Sequence, residues 1–176
     1  MRLTIVAIQP MLIAERLQFM QLTKSISERF EIKTDSSCQT RRLGESFGRM
    51  LRPGDVVSLV GELGTGKTTL IQGIAKGLCV QENVSSASFV LMQEYKGRFP
   101  LYHFDLYRIE DEEDIGYEDW LYSNGVSVIE WGERALEHLP FVHLKILLSY
   151  LSQTSRSLLF LPKGKHFLEM ITRLRR

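Results

Sequence analysis

The octapeptide Gly61-Glu62-Leu63-Gly64-Thr65-Gly66-Lys67-Thr68 has the spacing G-x-x-x-x-G-K-[ST]. These residue types in this order suit one kind of chemistry. Glycines let backbone N–H groups turn inward around phosphate oxygens with no Cβ in the way. A helix beginning where the loop ends adds partial positive charge at the same point. Lys67 is long enough to reach β- and γ-phosphates, and the Thr68 hydroxyl can ligate Mg²⁺. The stretch reads as a nucleoside triphosphate site.

A phosphate loop of this kind needs a carboxylate to hold its metal, directly or through water, and two candidates stand out. Asp105 sits within "YHFDLY", where apolar and aromatic neighbours make a charge costly unless it is partnered. Strand alternation places it on one face with His103 and Tyr107. Glu130 ends the run "VSVI", at the carboxyl edge of a strand, where open α/β sheets bind ligands. Either could be the main metal-site acid. His103 reads as a packed or hydrogen-bonded strand residue rather than a catalyst.

The elements that must position these groups follow from periodicity. "ERFEIKT" (28–34) alternates as an edge strand does, and Ser36 or Ser37 can cap a helix over 37–51 with Leu43, Phe47, Met50 and Leu51 on one face. Pro53 and Gly54 make a turn into "DVVSLV" (55–60), an apolar run typical of a central strand. After the glycine loop, Leu70, Ile71, Ile74, Ala75 and Leu78 recur at helical spacing, with Gly77 as terminator. "SFVLMQEY" (88–95) and "PLYHFDLY" (100–107) form a predicted hairpin across "KGRF". The acidic run 110–114 suits the opening of a helix. "VSVIEW" (126–131) is a further buried strand, followed by a short helix over 133–139 that stops at Pro140. "LKILLSYL" and "SLLFLP" pair across "SQTSR", and the basic tail forms a terminal helix. The pattern is α/β: a mixed central sheet flanked by helices in three layers, with antiparallel hairpin additions.

Bulk properties set outer bounds. A chain of 176 residues, 44% hydrophobic and 24% charged, suits a single substantial core. A net charge of +1 argues against strong electrostatic binding of nucleic acid. Cys38 and Cys79 are far apart and outside any CxxC spacing, so they read as reduced thiols of a cytoplasmic protein. No stretch reaches the ~18 apolar residues of a membrane span, so no membrane association is expected. The opening residues lack a small-residue cleavage site, which disfavours a secretory signal. Residues 1–25 are read as a loosely ordered extension, or as the product of a start codon placed upstream of Met20. There is no N-K-x-D, and no D-x-x-G follows the loop, which disfavours a translation-type GTPase. Only Arg98 and Arg108 fall between positions 96 and 130, too few for the arginine-rich lid of a nucleotide kinase.

Taken in order, "GELGTGKTT", "SSASFVLMQEY", "YHFDLYR" and "VIEWGE" with "LP" after it resemble the bacterial TsaE family, also called YjeE. The likeness runs from about Glu31 to about Leu161. "HFDLYR" followed by "EW" carries most of the specificity, since the phosphate loop is shared by many ATPases and GTPases. The resemblance implies a small P-loop ATPase, spanning 26–162 and followed by a basic tail at 163–176, that serves threonylcarbamoyladenosine formation next to the anticodon of certain tRNAs. It implies binding to the TsaB–TsaD complex, only indirect involvement of tRNA, and slow ATP hydrolysis that resets the complex. On the same resemblance, Gly61 to Thr69 hold the phosphates, with Lys67 serving catalysis. Thr68 and Asp105 serve Mg²⁺, Glu130 positions or activates the attacking water beside the metal, and Trp131 lies near the nucleotide. One departure is visible. Ala87 and Ser88 replace the family's usual proline and threonine, leaving the Ser88 hydroxyl for metal or phosphate contact and a loop without a fixed φ. The runner-up reading is a P-loop kinase acting on a small molecule; a third is a nucleotide-gated binding module.

Overall fold

Val56–Val60 (β2) and Val126–Glu130 (β5) lie side by side and parallel at the centre of the sheet. Their apolar side chains are almost wholly buried on both faces, as parallel strands covered by helices require. The computed structural model describes residues 29–87, 91–108, 121 and 123–174. Around the central pair, in chain order, run β1 (Phe30–Thr34), α1 (Ser37–Gly48), α2 (Lys67–Gly77), β3 (Met92–Tyr95), β4 (Leu101–Asp105), a 3₁₀ turn (Gly132–Ala135), β6 (Leu144–Tyr150), β7 (Arg156–Pro162) and α3 (Lys165–Leu174).

The described strands form one seven-stranded sheet in the order β1-β7-β6-β2-β5-β4-β3. The inner four, β6, β2, β5 and β4, are parallel. The pairs β3–β4, β6–β7 and β1–β7 are antiparallel, so both expected hairpins are present. The α/β class with antiparallel additions is therefore observed. Phe47, Leu70, Ile71 and Ile74 from α1 and α2 meet Val57, Leu59 and Ile146 of the sheet in the main core, which Phe167, Met170 and Ile171 of α3 complete.

The two long helices touch backbone to backbone. Gly44 and Gly48 of α1 face Gly73 and Gly77 of α2, and a Cβ at any of the four would strike main-chain atoms of the opposite segment. The helix does end at Gly77, as the sequence reading has it, but not by a left-handed turn at that glycine. Its φ is not positive, and α2 instead ends through Cys79, which takes the left-handed conformation at φ 64°. Cys79 N–H donates to Lys76 O at 3.1 Å and Val80 N–H to Ala75 O at 2.9 Å, the Schellman pattern.

Other boundaries shift for identifiable reasons. Ser36 caps α1, accepting from Gln39 N–H at 3.2 Å, but the helix stops at Gly48 rather than continuing to 51. The Arg98 guanidinium then gathers the carbonyls of Gly48, Arg49 and Leu51 at 3.5, 3.1 and 3.2 Å. The strand expected from 88 is described only over Met92–Tyr95, after Leu91 at φ 67°. The helix expected over 133–139 is the single 3₁₀ turn Gly132–Ala135. The acidic run 110–114, residues 1–25 and Ser88 lie outside the described residues.

Candidate functional site

The phosphate loop leaves the carboxyl end of β2 and enters α2 at Lys67, with Gly66 as N-cap in a left-handed conformation (φ 99°). Gly64 is also left-handed (φ 78°), and a Cβ there would press on the Tyr150 hydroxyl. Thr65 closes a turn within the loop, its Oγ1 donating to Glu62 O at 2.8 Å. Lys67 Nζ donates to Gly61 O at 2.7 Å and Glu62 O at 2.9 Å. It also lies 3.9 Å from the centre of the Trp131 ring. Burial pushes the Lys67 ammonium below the usual lysine range, against the pull of the nearby Glu130, Glu133 and Asp105 carboxylates.

Two neighbouring strands bring the acids alongside. Asp105 of β4 and Glu130 of β5 occupy the same rung of a parallel pair, each 3% exposed. Glu130 Oε1 accepts from Thr68 Oγ1 at 2.8 Å and also meets His103 Nε2 at 3.0 Å. Asp105 Oδ2 accepts from Ser86 Oγ at 2.7 Å, and its Oδ1 accepts from Tyr107 N–H at 3.2 Å. His103 is fully buried, the packed strand residue expected of it, though it packs directly behind an acid of the site.

Leu63, Gly64, Gly66, Lys67, Thr68, Thr69, Asp105, Glu130 and Trp131 line one cavity of about 250 Å³, together with Ser86 and Tyr107. Gly61, Glu62 and Thr65 stand behind it as the frame of the loop, so the expected site residues that are described converge. Trp131 is left-handed at φ 60° and tilts against Tyr107 with ring centres 4.9 Å apart, forming one wall. Directly after it, Gly132 approaches Ser58 of β2 so closely that no Cβ would fit.

Four participants are not among the site residues expected from the sequence. Ser86 had a signal, since it falls in the serine-rich stretch before β3, and Tyr107 shares the alternating face of Asp105. Tyr150 and Arg156 had none. The hairpin register pairs them across the ends of β6 and β7, where they hold the phosphate loop from outside. Tyr150 Oη donates to Leu63 O at 2.8 Å, Arg156 Nε donates to Thr65 O at 3.1 Å, and the guanidinium stacks over the Tyr150 ring at 4.4 Å.

The donor set suits a hard cation sharing phosphate oxygens. Among the described residues no three His, Cys, Asp or Glu side chains form a cage of their own. Two buried carboxylates and two hydroxyls facing a cavity would supply part of an oxygen shell of the kind Mg²⁺ takes, leaving positions for water and phosphate. The left-handed glycines at 64 and 66 put no Cβ on those parts of the cavity wall, as the close approach of a phosphate requires. No helix among the described residues is long and apolar enough to cross a membrane.

Comparison with known proteins agrees with this arrangement. The family described as "Threonylcarbamoyl adenosine biosynthesis protein TsaE" matches residues 34–158. The tRNA threonylcarbamoyladenosine biosynthesis protein TsaE of Treponema pallidum is 44% identical over 126 residues, covering 70% of this chain and 93% of its own. The protein of the same description from Bacillus subtilis is 37% identical over 131 residues, covering 73% of this chain and 83% of its own. The crystal structure of Bacillus subtilis YdiB superposes with a TM-score of 0.72 at 30% identity, covering 84% of this chain and 95% of that one. With its phosphate loop, its mixed sheet and this sequence match over most of its length, the chain belongs to the TsaE family of threonylcarbamoyl adenosine biosynthesis, proteins of the P-loop ATPase type.

Proposed function

We propose that this protein binds and slowly hydrolyses ATP with Mg²⁺, and that this cycle binds and resets a TsaB–TsaD complex during tRNA threonylcarbamoyladenosine formation in the cytoplasm. The observation that carries the hydrolytic reading is the Thr68–Glu130 hydrogen bond of 2.8 Å. It ties the hydroxyl closing the phosphate loop to a buried acid on the neighbouring strand. With Asp105 serving the metal, a second buried acid beside the loop suits activation of a water.

In this reading, the N–H groups of 61–69 and the Lys67 ammonium hold the triphosphate. Thr68 and Asp105, with Ser86 donating to Asp105, would hold Mg²⁺, which supplies positive charge to the β- and γ-oxygens when bound. Glu130 orients the attacking water from beside the metal and accepts its proton. Trp131 closes the wall next to the phosphates, and the Ser88 hydroxyl serves metal or phosphate. Family membership supports the pathway, and the relatives' descriptions support the tRNA product class.

The decisive experiment mixes the full chain with purified TsaB and TsaD, with and without ATP and Mg²⁺. Co-purification that depends on nucleotide, with ATP turnover altered by the partners, is expected. Three folded proteins that neither associate nor change turnover would overturn the resetting role. A phosphorylated small product in place of free phosphate would point instead to a kinase.

A further inference from the structure

His103 lies behind the pocket rather than in it. It is 0% exposed and is absent from the cavity wall, yet its Nε2 stands 3.0 Å from Glu130 Oε1. The other ring nitrogen, Nδ1, is buried with no hydrogen-bond partner among the described residues. With Glu130 ionised, these contacts point to one tautomer. A carboxylate oxygen can only accept, so Nε2 carries the proton, and Nδ1 is left bare because a second buried N–H would have nothing to bond.

Both hydrogen bonds of the Glu130 carboxylate, from Thr68 and from His103, fall on Oε1. None among the described residues falls on Oε2, although Glu130 lines the cavity. One oxygen is pinned from two directions and the other is left for a ligand. The ring is itself held in place: His103 sits on β4 two residues before Asp105, and its imidazole stacks on Tyr95 with centres 6.5 Å apart.

We propose that His103 is a positioning residue for hydrolysis: its Nε2–H donates to Glu130 Oε1 and sets the rotation of that carboxylate so that Oε2 faces the attacking water. This rests on the reading of Glu130 as the water-orienting acid. His103 touches neither nucleotide nor water, so its loss lowers the hydrolytic step without removing the phosphate site.

The test uses the intact chain and compares three substitutions that differ in donor placement. Glutamine can put its amide nitrogen near the position of Nε2, asparagine reaches only as far as Nδ1, and leucine has no donor. Single-turnover ATP hydrolysis and ATP affinity are measured together, with thermal melting as a check on folding. Relative to wild type, His103→Leu and His103→Asn are expected to slow hydrolysis about 10- to 100-fold, with ATP affinity within about threefold. His103→Gln is expected to recover most of the rate. Hydrolysis unchanged in His103→Leu, or the same loss in all three variants, would overturn the proposal.

Two further measurements separate this idea from the one beneath it. Glu130→Gln should abolish most hydrolysis, and adding His103→Leu to it should cost nothing more. A crippled Glu130→Gln in which the second change still costs its full factor would sink the positioning role alone. A fully active Glu130→Gln would sink the acid assignment and the positioning role with it. Imidazole ¹⁵N spectra of the nucleotide-free protein supply a readout independent of activity. Nε2–H with bare Nδ1 at His103 is expected, and the opposite tautomer would refute the geometry.

Discussion

Asp105 and Glu130 face each other on the same rung of β4 and β5, yet they are held by different partners. Asp105 is engaged by Ser86 and the Tyr107 amide, whereas Glu130 is engaged by Thr68 and His103. Two buried acids held by different partners can carry separate tasks, and each task has its own test.

Asp105→Asn keeps the shape of the site and halves its carboxylate charge. ATP hydrolysis should then require several-fold more Mg²⁺ for half-maximal rate. Glu130→Gln should instead lower the maximal rate about 10²- to 10⁴-fold with little change in ATP affinity. Magnesium titrations of both variants check the division. An unmoved metal response in Asp105→Asn would make it a structural acid and Glu130 the leading metal ligand.

Lys67→Ala removes a desolvated positive charge from beside the triphosphate, and should weaken ATP binding and turnover by at least about 10²-fold. The wild-type lysine also predicts a pH dependence. Burial sets its folded pKa below the unfolded one, so in the window between them the unfolded chain holds more protons. Its contribution to stability therefore rises as pH rises through that window and is lost as pH falls through it. ATP affinity should run the other way, declining at an alkaline pH below the usual lysine titration. Equilibrium titration with a fluorescent ATP analogue across alkaline pH measures that decline.

Tyr150→Phe and Arg156→Ala each release one carbonyl of the phosphate loop, Leu63 O or Thr65 O. A net hydrogen bond of about 1 kcal/mol corresponds to roughly a fivefold change in equilibrium. ATP affinity should fall by about that factor in each variant, while the maximal rate is kept. Arg156→Ala should lose more, because its guanidinium also gathers the turn carbonyls of Ser152, Gln153 and Ser155. Isothermal titration would show it.

His143 offers a stability test far from the nucleotide. It is buried, and its Nδ1–H donates to Pro140 O at 2.6 Å. Burial lowers its pKa, outweighing that hydrogen bond, which would raise it. The folded value thus lies below the unfolded one, and the stabilisation is complete above the ordinary histidine range. It is lost as pH falls through the window below that range. His143→Asn, which can keep a donor toward Pro140, should flatten that part of the curve in urea unfolding at stepped pH.

Cys79 holds a left-handed conformation that costs a residue with a Cβ on the order of 1 kcal/mol. Cys79→Gly should raise stability by about 0.5–1 kcal/mol, seen as a higher urea midpoint at unchanged slope.

Much of this fold can be read from local pattern. β2, β5 and the phosphate loop announce themselves because an apolar run, a glycine cluster and a helical period follow each other directly. The acids could be named but not assigned, because their partners come from elements tens of residues away. Glu130 depends on Thr68 and His103, which only the order of β2, β5 and β4 brings together. Tyr150 and Arg156 were invisible for a related reason, since their role exists only through the register of β6 with β7. Gly77 does mark the helix end, but its close contact with α1 is not legible, because a glycine near a helix end can serve a turn or a close contact and only the position of α1 distinguishes them.

That contact has a mechanical consequence. With glycines on both sides, no side chain separates the main chains of α1 and α2 where they cross, and such close packing makes the pair a strut with little room to slide. One end of the strut carries the phosphate loop, through Lys67 at the start of α2. The other is pinned by Arg98 in the β3–β4 turn, which grips the carboxyl end of α1. A load applied to the outer face of α1 is thus delivered to the cradle itself, without side-chain slack to absorb it.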